Sequence, residues 1–122
     1  MKIFSLKFWI PAVVLFLMLQ SHAWAHAQLY YSVPRVGSTV TNPPSKIKIC
    51  FTEPLEPHGS TIQVRDARDK QVDKKDSHRD SEDASLLFVS LPKLPPGKYK
   101  VSWTAVSQDK HQTEGHFEFT IK

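Results

Sequence analysis

The chain is short of the residues that would staple it, coil it or anchor it. Cys50 is the only cysteine among 122 residues, which excludes a disulfide within the chain and leaves packing to hold the domain together. Its simplest role is that of a small strand residue; a free thiol that binds soft metal or pairs between chains is the alternative. Helical periodicity is missing over any useful length, which argues against a helical bundle, and no segment repeats. Long apolar runs are scarce as well. The longest, Phe8 to Leu19, is interrupted by Pro11 and is shorter than the ~20 residues a membrane-spanning helix needs. A large surplus of one charge is also absent. The chain has 16 Lys and Arg against 12 Asp and Glu, and without Lys2 and Lys7 at the extreme N-terminus the balance is 14 against 12. Acidic and basic residues are mixed and there is no Arg-rich face, so nucleic-acid binding is not expected.

What is present begins with the N-terminus. Met1-Lys2-Ile3-Phe4-Ser5-Leu6-Lys7 leads into the short apolar run, and Gln20-Ser21-His22-Ala23-Trp24-Ala25 follows it. A basic start, a short apolar centre and an Ala-x-Ala ending make a secretory signal peptide. Cleavage after Ala25 would release a chain beginning at His26, yet Ala25-His26-Ala27 also fits the pattern and would release one beginning at Gln28. The first cut is favoured because it turns His26 into a chelating terminus. Residues 1–25 are therefore expected to be a removed signal, and residues 26–122 one small domain with no stable membrane insertion of its own. No Cys follows the cleavage region, so no lipid anchor is indicated.

From His26 onward, short strands alternate with turn signals. Leu29–Val33 is stopped by Pro34 and Gly37, and Thr41-Asn42-Pro43-Pro44-Ser45 marks a second turn. Lys46-Ile47-Lys48-Ile49-Cys50-Phe51 alternates strictly, with Ile47, Ile49 and Phe51 on one face, the period of a half-buried strand. Further strands are expected at Thr61–Arg65, Ala84–Leu91, Lys98–Ala105 and His116–Ile121. Trp103, Phe117 and Phe119 are read as core. Asp66–Asp83 is almost wholly polar and reads as a solvated hairpin tip and loop, with His78 exposed in it. This pattern predicts an all-β sandwich or small barrel of about seven strands.

The chemistry concentrates in Ser107–His116, a polar stretch expected to join the last two strands. Asp109 and His111 stand two apart, so in extended backbone they project to one side. A carboxylate and an imidazole so placed suit Cu(II) or Zn(II). Alone they make a weak site, and each has an ordinary reading as a turn residue. An N-terminal His would add an amine and an imidazole from one residue. With His26, His111 and Asp109 the set is three nitrogens and one oxygen, which suits tetragonal Cu(II). Glu53, in the Glu53-Pro54-Leu55-Glu56-Pro57-His58-Gly59 loop, is a candidate axial ligand or an outer acceptor that orients a ring. His58 is near it in sequence, Glu56 is expected to be solvated, and His116 is expected to face away from the Phe117/Phe119 side.

Together, several segments resemble the CopC-type copper-binding proteins of the bacterial periplasm. They are His26-Ala27-Gln28-Leu29, Pro34-Arg35-Val36-Gly37-Ser38, Phe51-Thr52-Glu53-Pro54-Leu55-Glu56-Pro57, Leu94–Trp103, Val106–His111 and Gly115–Phe119. The resemblance implies a Greek-key β-barrel that holds one Cu(II) through His26, Asp109 and His111, with Glu53 at or beside the metal. It implies a periplasmic, non-enzymatic protein that sequesters copper or hands it on, and an inner-membrane copper transport protein as a partner. One departure stands out. Members that also bind Cu(I) carry a Met-rich loop, whereas the only methionines here are Met1 and Met18, which points to Cu(II) alone. Two further readings compete: a copper-dependent oxidative enzyme with a histidine-brace-like site, and a structural β-domain adaptor whose metal binding is incidental.

Overall fold

The alternation of Ile47, Ile49 and Phe51 with exposed or half-exposed neighbours sets the architecture, because a strand with one apolar face must bury it against another layer. The computed structural model describes residues 26–122; the expected signal segment lies outside the described residues. Eight strands are found among the described residues: β1 (Leu29–Val33), β2 (Thr39–Val40), β3 (Lys46–Phe51), β4 (Thr61–Arg65), β5 (His78–Arg79), β6 (Leu86–Ser90), β7 (Gly97–Val106) and β8 (Gln112–Ile121). They form two four-stranded sheets, ordered β1-β3-β6-β5 and β2-β8-β7-β4. The fold is a β-sandwich. Six of the eight overlap the strands expected from sequence; the other two, β2 and β5, have two residues each and are too short to show a period.

Between the sheets, Ile47, Ile49, Phe51, Leu87 and Val89 from one layer belong to one core with Ile62, Val64, Tyr99, Val101, Trp103, Phe117, Phe119 and Ile121 from the other. Burying a side chain such as Phe119 contributes roughly 1.5–3 kcal/mol. Phe51 meets Trp103 edge-on at 5.1 Å between ring centroids, a favoured aromatic geometry. Cys50 is a free, half-buried strand residue, with Sγ 3.8 Å from the Ser85 hydroxyl.

Two expectations are corrected. The connection before the last strand is much shorter than Ser107–Gly115, because β7 and β8 pair without a break from Gly97↔Ile121 to Val106↔Gln112. Residues 112–116 look like a loop in sequence because their outward side chains are polar and their inward ones include Gly115. That glycine lies under the indole: a Cβ on it would come within 2.6 Å of Trp103 Cζ2. The second correction concerns Asp66–Asp83, which contains β5 and the buried Asp73. Asp73 accepts from the Val64 and Lys75 amides, each at 2.8 Å.

At one end of the sandwich three separated segments meet. The β7–β8 turn is bridged to the loop after β3 through Leu55↔Ser107, with Gln108 N–H donating to the Pro54 carbonyl at 3.1 Å. The N-terminal segment joins the same loop by a reciprocal pair: Thr52 N–H donates to the Gln28 carbonyl at 2.8 Å, and Gln28 N–H to the Thr52 hydroxyl at 3.0 Å.

Candidate metal centre

The tight turn Ser107–His111 is built around a buried serine. Ser107 N–H donates to the His111 carbonyl at 3.0 Å and Lys110 N–H to the Ser107 carbonyl at 2.9 Å. Lys110 has φ 72°, left-handed backbone that closes a short turn at some steric cost. The side chain of Lys110 reaches across to pair with Glu56, so Glu56 is not the free solvated carboxylate expected from sequence; it ties the two loops together. Being a partly exposed pair, it contributes little energy. Its effect is to hold the Asp109–His111 segment against the Pro54–Glu56 loop.

Within the turn, both carboxylate oxygens of Asp109 are engaged. The Ser107 hydroxyl donates to Oδ1, and His111 Nδ1 lies 3.1 Å from Oδ2. These two bonds, the serine's first, hold the Asp109 carboxyl down to about 2. A neutral imidazole that donates through Nδ1 keeps its lone pair on Nε2. In that tautomer Nε2 of His111 is free to act as a donor while Asp109 fixes Nδ1, an arrangement by which carboxylates orient metal-binding histidines. Both side chains stay accessible, at 58% and 41% relative exposure.

His26 completes the group. Its ring lies 4.4 Å from that of His111, centroid to centroid, at an interplanar angle of 44°. His26 also lines an open recess with Gln28, Thr52 and Glu53. The four residues singled out in the sequence are therefore brought to one end of the fold: His26 touches His111, His111 is bonded to Asp109, and Glu53 shares the recess of His26. Among the described residues, no group of three or more His, Cys, Asp or Glu side chains stands ready as a metal cage. The physical reason is visible in the contacts, since Asp109 is spent on Ser107 and His111 while the two imidazoles rest against each other. Turning these exposed side chains about their χ angles is needed to aim the donors at one ion.

The other histidines lie elsewhere. His58 lines a different recess with His78, Arg79 and Glu56. His116 lies on the outer face of the second sheet, opposite Ser102, beside Lys100 and Glu114. Neither joins the His26–His111 pair. Sequence reasoning missed the supporting residues Ser107, Thr52 and Thr113. The Ser-x-Asp spacing was a usable turn signal for the first; the others contact residues distant in sequence and left no local trace.

Comparison with known proteins matches this architecture to a family. The CopC domain family model matches residues 29–122, and the chain belongs to that family. It is 34% identical to Protein YobA of Escherichia coli (strain K12) over 100 residues, covering 81% of each protein. Its fold is similar to the crystal structure of CopC from Methylosinus trichosporium OB3b, with a TM-score of 0.75, 29% identity and coverage of 80% of this chain and 94% of that one. It is also similar to PcoC, a methionine rich copper resistance protein from Escherichia coli, with a TM-score of 0.70, 31% identity and coverage of 80% and 100%.

Proposed function

We propose that this protein binds one Cu(II) ion in the periplasm, through His26, His111 and Asp109 with Glu53 alongside, and sequesters it or hands it on. The observation that carries the reading is the meeting of His26 and His111, 4.4 Å apart at ring centroids, from opposite ends of the chain and beside an ionised carboxylate. Nothing in the packing of a sandwich requires two exposed imidazoles to face each other. Nitrogen-rich donors with one anionic oxygen suit Cu(II) at the head of the divalent affinity order.

The methionine contrast favours Cu(II) as the ion. PcoC is described as methionine rich, whereas both methionines here lie in the first 18 residues, leaving no thioether to favour Cu(I). Packing also supports the proposed processing site. In the full-length chain the His26 nitrogen is a peptide amide; cleavage after Ala25 converts it into an amine donor. Ala27 is fully buried, so cleavage after Ala27 would remove a side chain that the folded domain encloses. This supports the cut that leaves His26 first. An inner-membrane copper transport protein is the partner proposed for delivery. PcoC is described as a copper resistance protein, which favours binding and transfer over oxidative catalysis as the reading here.

The test is the native intact mass of the secreted protein before and after one equivalent of Cu(II). The expected result is a chain starting at His26 that retains one copper, lost in His111→Ala. A chain starting at Gln28, or equal retention by the variant, removes the site.

A further inference from the structure

The geometry points to Thr113 as a positioning residue for the copper site, acting with Thr52 to hold the His26 terminus against β8; the inference rests on the function proposed above. A chain terminus ordinarily frays, and a chelating terminus that frays must be ordered each time it binds its ion. Here the order is built in beforehand. The Thr113 hydroxyl donates to the Ala27 carbonyl at 2.6 Å, the carbonyl of the residue next to His26. On the other side, Gln28 exchanges two bonds with Thr52, one to its hydroxyl and one from its amide. Between these ties the Ala27 side chain is fully buried in the core cluster. His26 is thus the first residue beyond a clamp made by two threonine hydroxyls and one enclosed methyl group.

Position along β8 adds the functional consequence. Thr113 stands two residues beyond His111 and pairs with Ala105 near the start of the long hairpin. The β7–β8 hairpin, whose turn presents the His111 imidazole, therefore also grips the backbone that presents the His26 imidazole. One hydroxyl sets the separation of two ligands that are 85 positions apart in sequence. Neither threonine touches the ion; both act through the backbone of Ala27 and Gln28. Pre-ordering of this kind raises affinity by removing an ordering cost from the binding step.

Thr113→Val keeps the shape of the side chain and removes its hydroxyl; Thr113→Ser keeps the hydroxyl. Each is secreted and processed as the mature protein, and Thr52→Ala serves as a second variant on the other side of the clamp. In the absence of metal, ¹⁵N relaxation of Ala27 and Gln28 reads the order of the terminus. With Cu(II) and a competing chelator, the dissociation constant and the Cu(II) EPR spectrum read the site. The expected result is a mobile Ala27 amide in Thr113→Val, a dissociation constant raised about 10-fold or more, a heterogeneous EPR spectrum, and restoration of all three by Thr113→Ser. An Ala27 amide as rigid in Thr113→Val and Thr52→Ala as in the parent overturns the clamp. A mobile Ala27 with unchanged copper affinity overturns its role in the site. A parent protein that retains no copper overturns the proposed function instead, and the metal-free relaxation data still decide whether Thr113 orders the terminus.

Discussion

Two polar connections of this molecule, Asp66–Asp83 and Ser107–His111, look alike in composition and do opposite work. In the first, acidic side chains are turned onto backbone amides. Asp66 accepts from Arg68 and Lys70, Asp73 from Val64 and Lys75, Asp76 from Ser90, and Asp80 from Glu82 and Asp83. Such a run of carboxylates resembles an acidic patch in sequence, yet its acceptor capacity is largely consumed in shaping the loop. In the second, the single buried hydroxyl of Ser107 does the internal work. Asp109 and His111 are left on the surface, joined to each other, with the His111 ring against that of His26. Polar groups satisfied by the backbone build structure, whereas those satisfied by one another at the surface can exchange partners for an ion.

The sharpest way to test that contrast is to remove one residue from each connection and read both stability and copper. His111→Ala is expected to cost about 100-fold or more in Cu(II) affinity, since losing a ligand should exceed the loss from an outer-shell residue. Its unfolding free energy should stay within about 0.5 kcal/mol of the parent, as for an exposed side chain. Isothermal titration and urea denaturation measure the two quantities on one preparation. His116→Ala, on the outer sheet face, is the control and should change neither. A large loss of copper in the control would relocate the site.

Asp73→Ala should give the converse result. It removes the acceptor of the Val64 and Lys75 amides, and leaving the buried Val64 donor unsatisfied costs about 1–3 kcal/mol. Urea denaturation should register that loss, with the copper dissociation constant unchanged. Equal damage to copper binding would mean that the two connections are coupled through the sheets and that the division of labour is false.

What sequence made legible divides along the same physical line. Period two revealed β3, β4 and β7 because alternating burial is a local property, and Trp103 with the two phenylalanines was recognisable as core for the same reason. Asp109 and His111 could be singled out as candidates because their spacing is local, and the order of several short segments carried the family resemblance. Three features were not legible. The extension of β8 back to Gln112 was hidden because polar outward residues and Gly115 carry no apolar signal, and the glycine is explained only by Trp103 on the paired strand. Burial of Asp73 was hidden because its partners lie on β4 and in its own turn. The Thr113–Ala27 bond was hidden because it joins residues 86 positions apart. Long-range hydrogen bonds fix this site, and they are the feature a local pattern does not encode.

The smallest expected effect concerns Ser107, where the two kinds of polar work meet in one residue. Its hydroxyl is the leading cause of the lowered Asp109 titration, from 3.8 to about 2. Ser107→Ala should therefore raise the Asp109 midpoint toward 3.8 in the metal-free protein, with the His111 contact keeping it somewhat below. The sign for stability follows by linkage. A carboxyl whose folded titration is depressed contributes stability that is fully present above 3.8 and lost as the pH falls through about 2. The parent should lose this contribution over that window, while the variant, with less of it to lose, should show a flatter acid profile. ¹³C-detected titration of the Asp109 carboxyl carbon measures the midpoint directly. An unmoved midpoint would mean that the His111 ring alone holds the carboxylate ionised, and that the buried serine organises the turn without tuning the group it touches.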